Sequence, residues 1–350
     1  MADLFEALSH ADDAGLFYVT DVQPGLTRRK RGRGFSYLDP DDKPVDADTK
    51  AWISSIVIPP AWTDVWICPL RDSHILATGR DARGRKQYRY HPQWREVRDS
   101  NKYFRLVDFG LALPSLRKQL NAHLTLPGLP REKVLATVVK LLDETLIRVG
   151  NDEYAISNES YGLTTMQDEH AHIEGSLVQF EFTGKSGVEL EVGLRDRRLA
   201  RIVKACQDLP GEELFQYLDG DGGQVDVTST HVNTYLREVS GATFTAKDFR
   251  TWGGTVVAAE SLIAAGSAAD EKEADRQVIA AVDAAAEKLG NTRAVCRSCY
   301  VHPAIPESHV DGSLHDAWRS TRGTARCRRG ERTVLKVLKQ QEAREHGAAA

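Results

Sequence analysis

The apolar pattern of this chain changes its period once, and that change limits the folds open to it. From Leu16 to about Tyr90 the apolar residues come in short runs, FYVTDV, WISSIVI, DVWICPL and HILATGRD, split by Pro, Gly and Asp. Runs of that length between turn residues predict strands. HPQW and the charged stretch to Asn101 read as a linker. Beyond it the spacing is helical. Phe104–Leu120 is apolar at helical intervals, and PREKVLATVVKLLDETLIR (130–148) opens on Pro and repeats apolar pairs at Val134/Leu135, Val138/Val139 and Leu141/Leu142. HIEGSLVQFEFT and VELEVGL flank the tight turn GKSG as two strands. Helices are predicted over 196–207, 230–239, 246–264 and 270–289, the third opened by Thr245 with Asp248 three residues on, a capping-box pattern. LGNTRAVCRSCYVHP (289–303) reads as a loop before a basic C-terminal helix, and residues 1–14 as a weakly helical start. The reading is an α+β chain: a small β-rich N-terminal domain over 1–95 and a larger, mainly α-helical domain over 96–350 that carries a small sheet.

At 350 residues the chain can bury two cores. No stretch nears the roughly 20 apolar residues that span a bilayer, and MADLFEALSHADDAG has no basic-then-apolar leader pattern. Five scattered cysteines do not form a secreted disulfide framework. These features predict a cytoplasmic protein. The net charge of −4 argues mildly against a nucleic-acid partner, but the signs are segregated. Basic residues crowd at Arg28–Arg33, Arg80–Arg105 and Arg319–Arg332, and acids at Asp39–Asp48 and Asp270–Asp275. Phosphate binding depends on local charge, so the basic runs fit a DNA-facing stripe and a solvated surface equally well.

Several motifs look like cofactor sites and lack a part. Gly184-Lys185-Ser186 resembles the end of a phosphate-binding loop, but Gln179 stands where its first glycine belongs. Cys296 and Cys299, with His302, offer half a zinc site and no second ligand pair at a convincing spacing. Asp219-Gly-Asp221 has no glutamate at the twelfth position of a calcium loop and reads as a polar turn. His170 and His172 would share a strand face but fit packing better than ligation. No metal and no cofactor is predicted.

Five other residues lie in contexts that form a set: Arg148 in RVGNDEYA, Lys185 in EFTGKSG, Arg250 in FTAKDFRTWGGT, and Asn291 and Tyr300 in LGNTRAVCRSCYVHP. Each alone has an ordinary reading, as a helix-end charge, a turn lysine or a packed tyrosine. Their order, with GRDARGRKQYRYH (79–91), LFQYLDGDG (214–222) and VTSTHVNTYLREV (227–239), resembles the type IB DNA topoisomerases of the compact bacterial and poxvirus-like branch. The resemblance covers nearly the whole chain.

It implies a tyrosine recombinase/topoisomerase IB-like fold and a monomer that clamps double-stranded DNA, a cytoplasmic, nucleoid-associated isomerase independent of ATP and metal. Tyr300 becomes the nucleophile that leaves a 3′-phosphotyrosyl enzyme, Arg148 and Arg250 hold the phosphate oxygens, and Lys185 is the general acid. Asn291, where the family usually has histidine, supplies a neutral hydrogen bond. Lys86, Gln87, Tyr88 and Tyr90 match the family's DNA-contacting segment, and Tyr154 a tyrosine near the scissile phosphate. The chemistry independently calls for these groups. A phenol with a pKa of about 10 needs help to ionise, guanidiniums match phosphate oxygens and stay charged, and a departing alkoxide needs a proton. Two alternatives use the same residues. A tyrosine recombinase usually has histidine three residues before the second arginine, where this chain has Lys247. A non-catalytic DNA-binding clamp would leave Tyr300 as packing.

Overall fold

The computed structural model of the protein describes residues 15–32, 34–151, 155, 159–185 and 187–348, with the side chains of 95–102, 104 and 345–348 left aside. The chain divides into two compact units, Met1–Tyr103 and Phe104–Ala350. No helix among the described residues is long and apolar enough to cross a membrane.

The first unit is built on an antiparallel sheet of β1 (Leu26–Arg31), β2 (Gly34–Leu38), β3 (Thr63–Ile67), β4 (Ile75–Arg80) and β5 (Lys86–Tyr90), in the order β2-β1-β3-β4-β5. Leu26, Val65, Ile67, Leu76 and Ala77 supply its core from the strands, and Ile53 and Ile56 close it. Those isoleucines correct the expected strand WISSIVI. Most of that run lies in a helix, α1 (Ala47–Ser55), whose first turn is fixed when the Asp46 carboxylate accepts from the Thr49 amide at 2.6 Å. Ile53 and Ile56, three apart, then face the sheet together. The basic run from Arg28 also takes an unexpected form. It is strand β1, turned back by Gly32 at φ 56° into β2 with Arg31 opposite Gly34. Arg28 lies 4.2 Å over the Phe35 ring and donates to the Pro59 and Trp62 carbonyls at 3.1 and 2.6 Å. It is therefore a packing residue. The stretch read as a linker from HPQW is the start of α2 (Pro92–His123). Proline suits a first helical turn, where its missing N–H has no partner to lose.

In the second unit the apolar pairs of α3 (Arg131–Thr145) are fully buried from Val134 to Leu142, apart from Lys140. A three-stranded antiparallel meander, β6 (Ala171–Glu174), β7 (Leu177–Gly184) and β8 (Val188–Arg195), replaces the two expected strands. His170 sits in a 3-10 turn just before β6 and takes the Gln167 amide on Nδ1 at 2.9 Å, so it does not pair with His172 on one strand face. Next come α4 (Arg197–Gln207), the hairpin β9 (Gln216–Leu218) and β10 (Gln224–Asp226), and α5 (Ser229–Ser240). Asp219 organises that hairpin's turn, accepting from the Asp221 and Gly223 amides at 3.0 and 2.7 Å, as a polar turn should.

Helix α6 (Ala246–Ala265) is buried around most of its circumference. Asp248 accepts from the Thr245 amide at 2.7 Å at its start, half of the expected capping box. It packs along α7 (Glu271–Leu289) and, through Trp252, against α2 so closely that a Cβ on Gly110 would lie 2.4 Å from the indole. The expected loop 289–303 contains a short helix, α8 (Arg293–Cys299), and two more, α9 (Ala304–Val310) and α10 (Ser313–Arg319), precede the final helix α11 (Arg329–Ala348).

Candidate active site

Three turns and one helix bring the expected residues of the second unit together. α3 ends at Leu146, a left-handed residue at φ 60°, and the reversal leads directly into Arg148. The strand-like segment after it is pinned by the Leu163 and Thr164 amides, which donate to the Arg148 and Val149 carbonyls at 2.9 and 2.6 Å. The fit leaves no room for side chains. A Cβ on Gly162 would lie 2.7 Å from the Arg148 carbonyl oxygen, and Gly150 takes φ 110°. Lys185 occupies the β7–β8 turn, which Gly187 closes at φ 75°. Arg250 lies on the second turn of α6. Tyr300 ends α8, its amide donating to the Cys296 carbonyl at 2.9 Å.

Arg148, Lys185, Arg250 and Tyr300 line one pocket of about 320 Å³, together with Tyr161 and Lys247. Arg250 is 5% exposed. Its Nη2 donates to the Leu289 carbonyl at 2.8 Å and its Nη1 to the Leu146 carbonyl. Both acceptors lie at helix C-terminal ends, where carbonyls lack intrahelical partners and the dipole favours a cation. The guanidinium carbon lies 5.3 Å from the centroid of the Tyr300 ring. Arg148 is half-buried, donates to the Gly290 carbonyl at 3.1 Å and donates through Nη2 to Asn291 Oδ1. Asn291 does not line the pocket. It joins the site through Arg148, and its Nδ2 is buried with no hydrogen-bond partner among the described residues.

The electrostatics of the pocket are one-sided. No carboxylate of the described residues forms an ion pair with Arg148 or Arg250. Burial pushes the Arg250 pKa down, and the charge of Arg148 lowers it further against an opposing effect of Tyr300. Burial also lowers Arg148, again opposed by Tyr300. Two guanidiniums held by neutral carbonyls, without counter-ions among the described residues, form a site suited to an anion. Lys247 and the exposed Lys185 add further positive charge at its rim.

Tyr161 had no sequence signal. The fold delivers it by donating its amide to the Thr183 carbonyl at 2.8 Å, beside β7. Lys247 was visible only as a departure from the recombinase pattern. Tyr154 lies outside the described residues. In the first unit, Lys86, Gln87, Tyr88 and Tyr90 lie on β5. The rings of Tyr88 and Tyr90 stack at 5.7 Å and 11°, as alternate residues on one strand face. Lys86 lies 5.6 Å from the Tyr88 ring and pairs with Asp21 at 2.6 Å. Gln87 donates to Asp81 at 3.0 Å, so its side chain braces the β4–β5 turn.

Comparison with known proteins gives this arrangement a family. The model of the eukaryotic DNA topoisomerase I catalytic core matches residues 91–309, and that of the bacterial DNA topoisomerase IB N-terminal domain matches residues 34–81. The chain is 32% identical to the DNA topoisomerase 1B of Acanthamoeba polyphaga mimivirus over 289 residues, 80% of this chain and 86% of the relative. It is 23% identical to the DNA topoisomerase I of monkeypox virus and to the DNA topoisomerase 1B of vaccinia virus, over 79% of this chain and 88% of theirs. The chain belongs to the type IB DNA topoisomerases. It is an isomerase of that class, and the recombinase and passive-clamp alternatives fall away.

Proposed function

We propose that the chain relaxes supercoiled duplex DNA by transient cleavage of one strand at the pocket around Tyr300. The observation that carries this reading is a pair of guanidiniums without counter-ions among the described residues, lining one pocket with Tyr300, Arg250 beside its ring. The scissile phosphodiester supplies the missing anion. Tyr300 releases its phenolic proton to solvent and attacks phosphorus, forming the new P–O bond as the bond to the 5′-oxygen breaks. Lys185 protonates that oxygen as it leaves. Arg148 and Arg250 stabilise the charge on the non-bridging oxygens of the pentacoordinate transition state, with their donors already oriented by backbone carbonyls. Asn291, expected to bond a phosphate oxygen directly, does not line the pocket, and its role here is to hold the Arg148 guanidinium through Oδ1. Religation reverses these steps and needs no ATP, because one phosphodiester has been exchanged for another.

The same reading assigns the region before about residue 95 to gripping the duplex, with Lys86, Gln87, Tyr88 and Tyr90 on DNA and Tyr154 near the scissile phosphate. The remainder performs the chemistry. The enzyme works as a monomer in the cytoplasm on nucleoid DNA. The test is relaxation of supercoiled plasmid in EDTA without ATP, beside Tyr300→Phe. Wild type should relax both positive and negative supercoils and the variant neither. Relaxation that survives loss of the Tyr300 hydroxyl, or that requires ATP or magnesium, overturns the reading.

A further inference from the structure

The helix that carries Arg250 also touches the backbone of Tyr300. Gly254 lies one turn beyond Arg250, on the same face of α6. A Cβ on Gly254 would lie 2.9 Å from the Leu289 Cδ1, 3.0 Å from the Tyr300 carbonyl oxygen and 3.3 Å from the Tyr300 Cβ. A side chain there would have to move Leu289 and shift the Tyr300 backbone by a few tenths of an ångström. Thr255 follows, fully buried. Its hydroxyl proton is shared between the Thr251 carbonyl at 2.8 Å and the Tyr300 carbonyl at 3.1 Å, and its oxygen accepts from the His302 amide at 3.1 Å. One side chain thus holds the peptide groups on either side of Val301, directly after Tyr300. Beside it, a Cβ on Gly253 would meet the Leu146 side chain at 2.4 Å, at the turn that leads into Arg148.

We propose that Gly254 and Thr255 are positioning residues for the nucleophile. They reference the Tyr300 backbone to α6, so one rigid helix sets the distance between the phenol and the Arg250 guanidinium. The inference rests on the assignment of Tyr300 as nucleophile. Neither residue reaches the pocket, and their effect passes through the placement of Tyr300. Attack on phosphorus is steep in geometry, and a misplacement of about 1 Å can cost about 100-fold in rate. A shift of about 0.5 Å therefore predicts a loss of about tenfold.

The experiment measures single-turnover formation of the covalent adduct with enzyme in excess. The duplex carries either oxygen or sulfur at the 5′ bridging position of the cleavage site. A thiolate leaves without a proton donor, so the sulfur substrate removes the demand on the general acid and retains the demand on the nucleophile. Thr255→Val keeps the shape and leaves the His302 amide without its acceptor. It should slow adduct formation about tenfold on both substrates, with duplex binding unchanged within about twofold. Thr255→Ser keeps the hydroxyl and should restore the rate to within about threefold of wild type. Gly254→Ala should resemble Thr255→Val. Wild-type rates for Thr255→Val overturn the proposal. So does a defect erased by sulfur, or a Thr255→Ser variant as slow as Thr255→Val. Tyr300→Phe, run alongside, should form no adduct on either substrate. An adduct there overturns the site assignment itself, whereas a dead Tyr300→Phe beside a fully active Thr255→Val overturns only the positioning role.

Discussion

The C-terminal helix α11 lies beyond the matched catalytic-core region, yet it completes the most buried ion cluster among the described residues. Glu331 is 0% exposed and Arg117, on α2, is 8% exposed. Arg117 donates to Asp143 of α3 at 2.8 and 2.7 Å, to Glu331 at 2.9 and 2.7 Å, and to the Arg326 carbonyl at 2.8 Å. Burial alone would raise the Glu331 pKa. The hydrogen bonds and charge of Arg117, with Arg328 behind, override burial and hold it at about 2 against an ordinary 4.5. That depression corresponds to about 3 kcal/mol of stability. The carboxylate binds its proton more weakly in the folded state, so this contribution is complete above about pH 5. It falls to under half by about pH 3 and is lost as pH drops through about 2. Glu331→Gln keeps the shape and removes the charge from beside a buried guanidinium. At pH 7 it should lower the melting temperature of the second unit by about 6–12 °C. The gap to wild type should narrow as pH falls from about 5 to 3. Calorimetry of both proteins across that range measures it. A gap below about 2 °C at pH 7, or one that stays constant with pH, refutes the reasoning.

Two further predictions concern the pocket. Lys185→Ala should slow adduct formation on an ordinary duplex by about 10²–10⁴-fold, and the sulfur-bridged substrate should recover most of that loss. Failure of sulfur to restore the rate removes Lys185 from the general-acid role. Arg250→Lys keeps the charge, but an ammonium cannot satisfy the Leu146 and Leu289 carbonyls while presenting a fork to phosphate. Single-turnover cleavage should fall by about 10²-fold, and a loss under about fivefold would contradict the oriented-fork argument.

What the sequence determined by itself was local. The change from short apolar runs to helical spacing, the turn at Gly184–Gly187, and Thr245 with Asp248 at the start of α6 each arise between residues a few positions apart. They were legible because period, turn chemistry and capping are short-range physics. The names of the candidate residues were legible too, since their flanking motifs carry the family likeness. Tertiary structure decided what depends on distant partners. WISSIVI has strand composition, but the Asp46 cap and a sheet waiting for Ile53 and Ile56 make most of it helix. The basic run from Arg28 reads equally as a DNA-facing stripe or solvated surface, and pairing with β2 and β3 makes most of it a strand in which Arg28 packs on Phe35 and three carbonyls. Glu331 reads as one charge in a basic tail until α11 folds against Arg117. Arg148 meets Asn291 across 143 residues, and Thr255 meets Tyr300 across 45. No local pattern encodes those separations. They follow from which apolar faces bury one another, and α6, packed on nearly every side, is the element through which the contacts around Tyr300 are made.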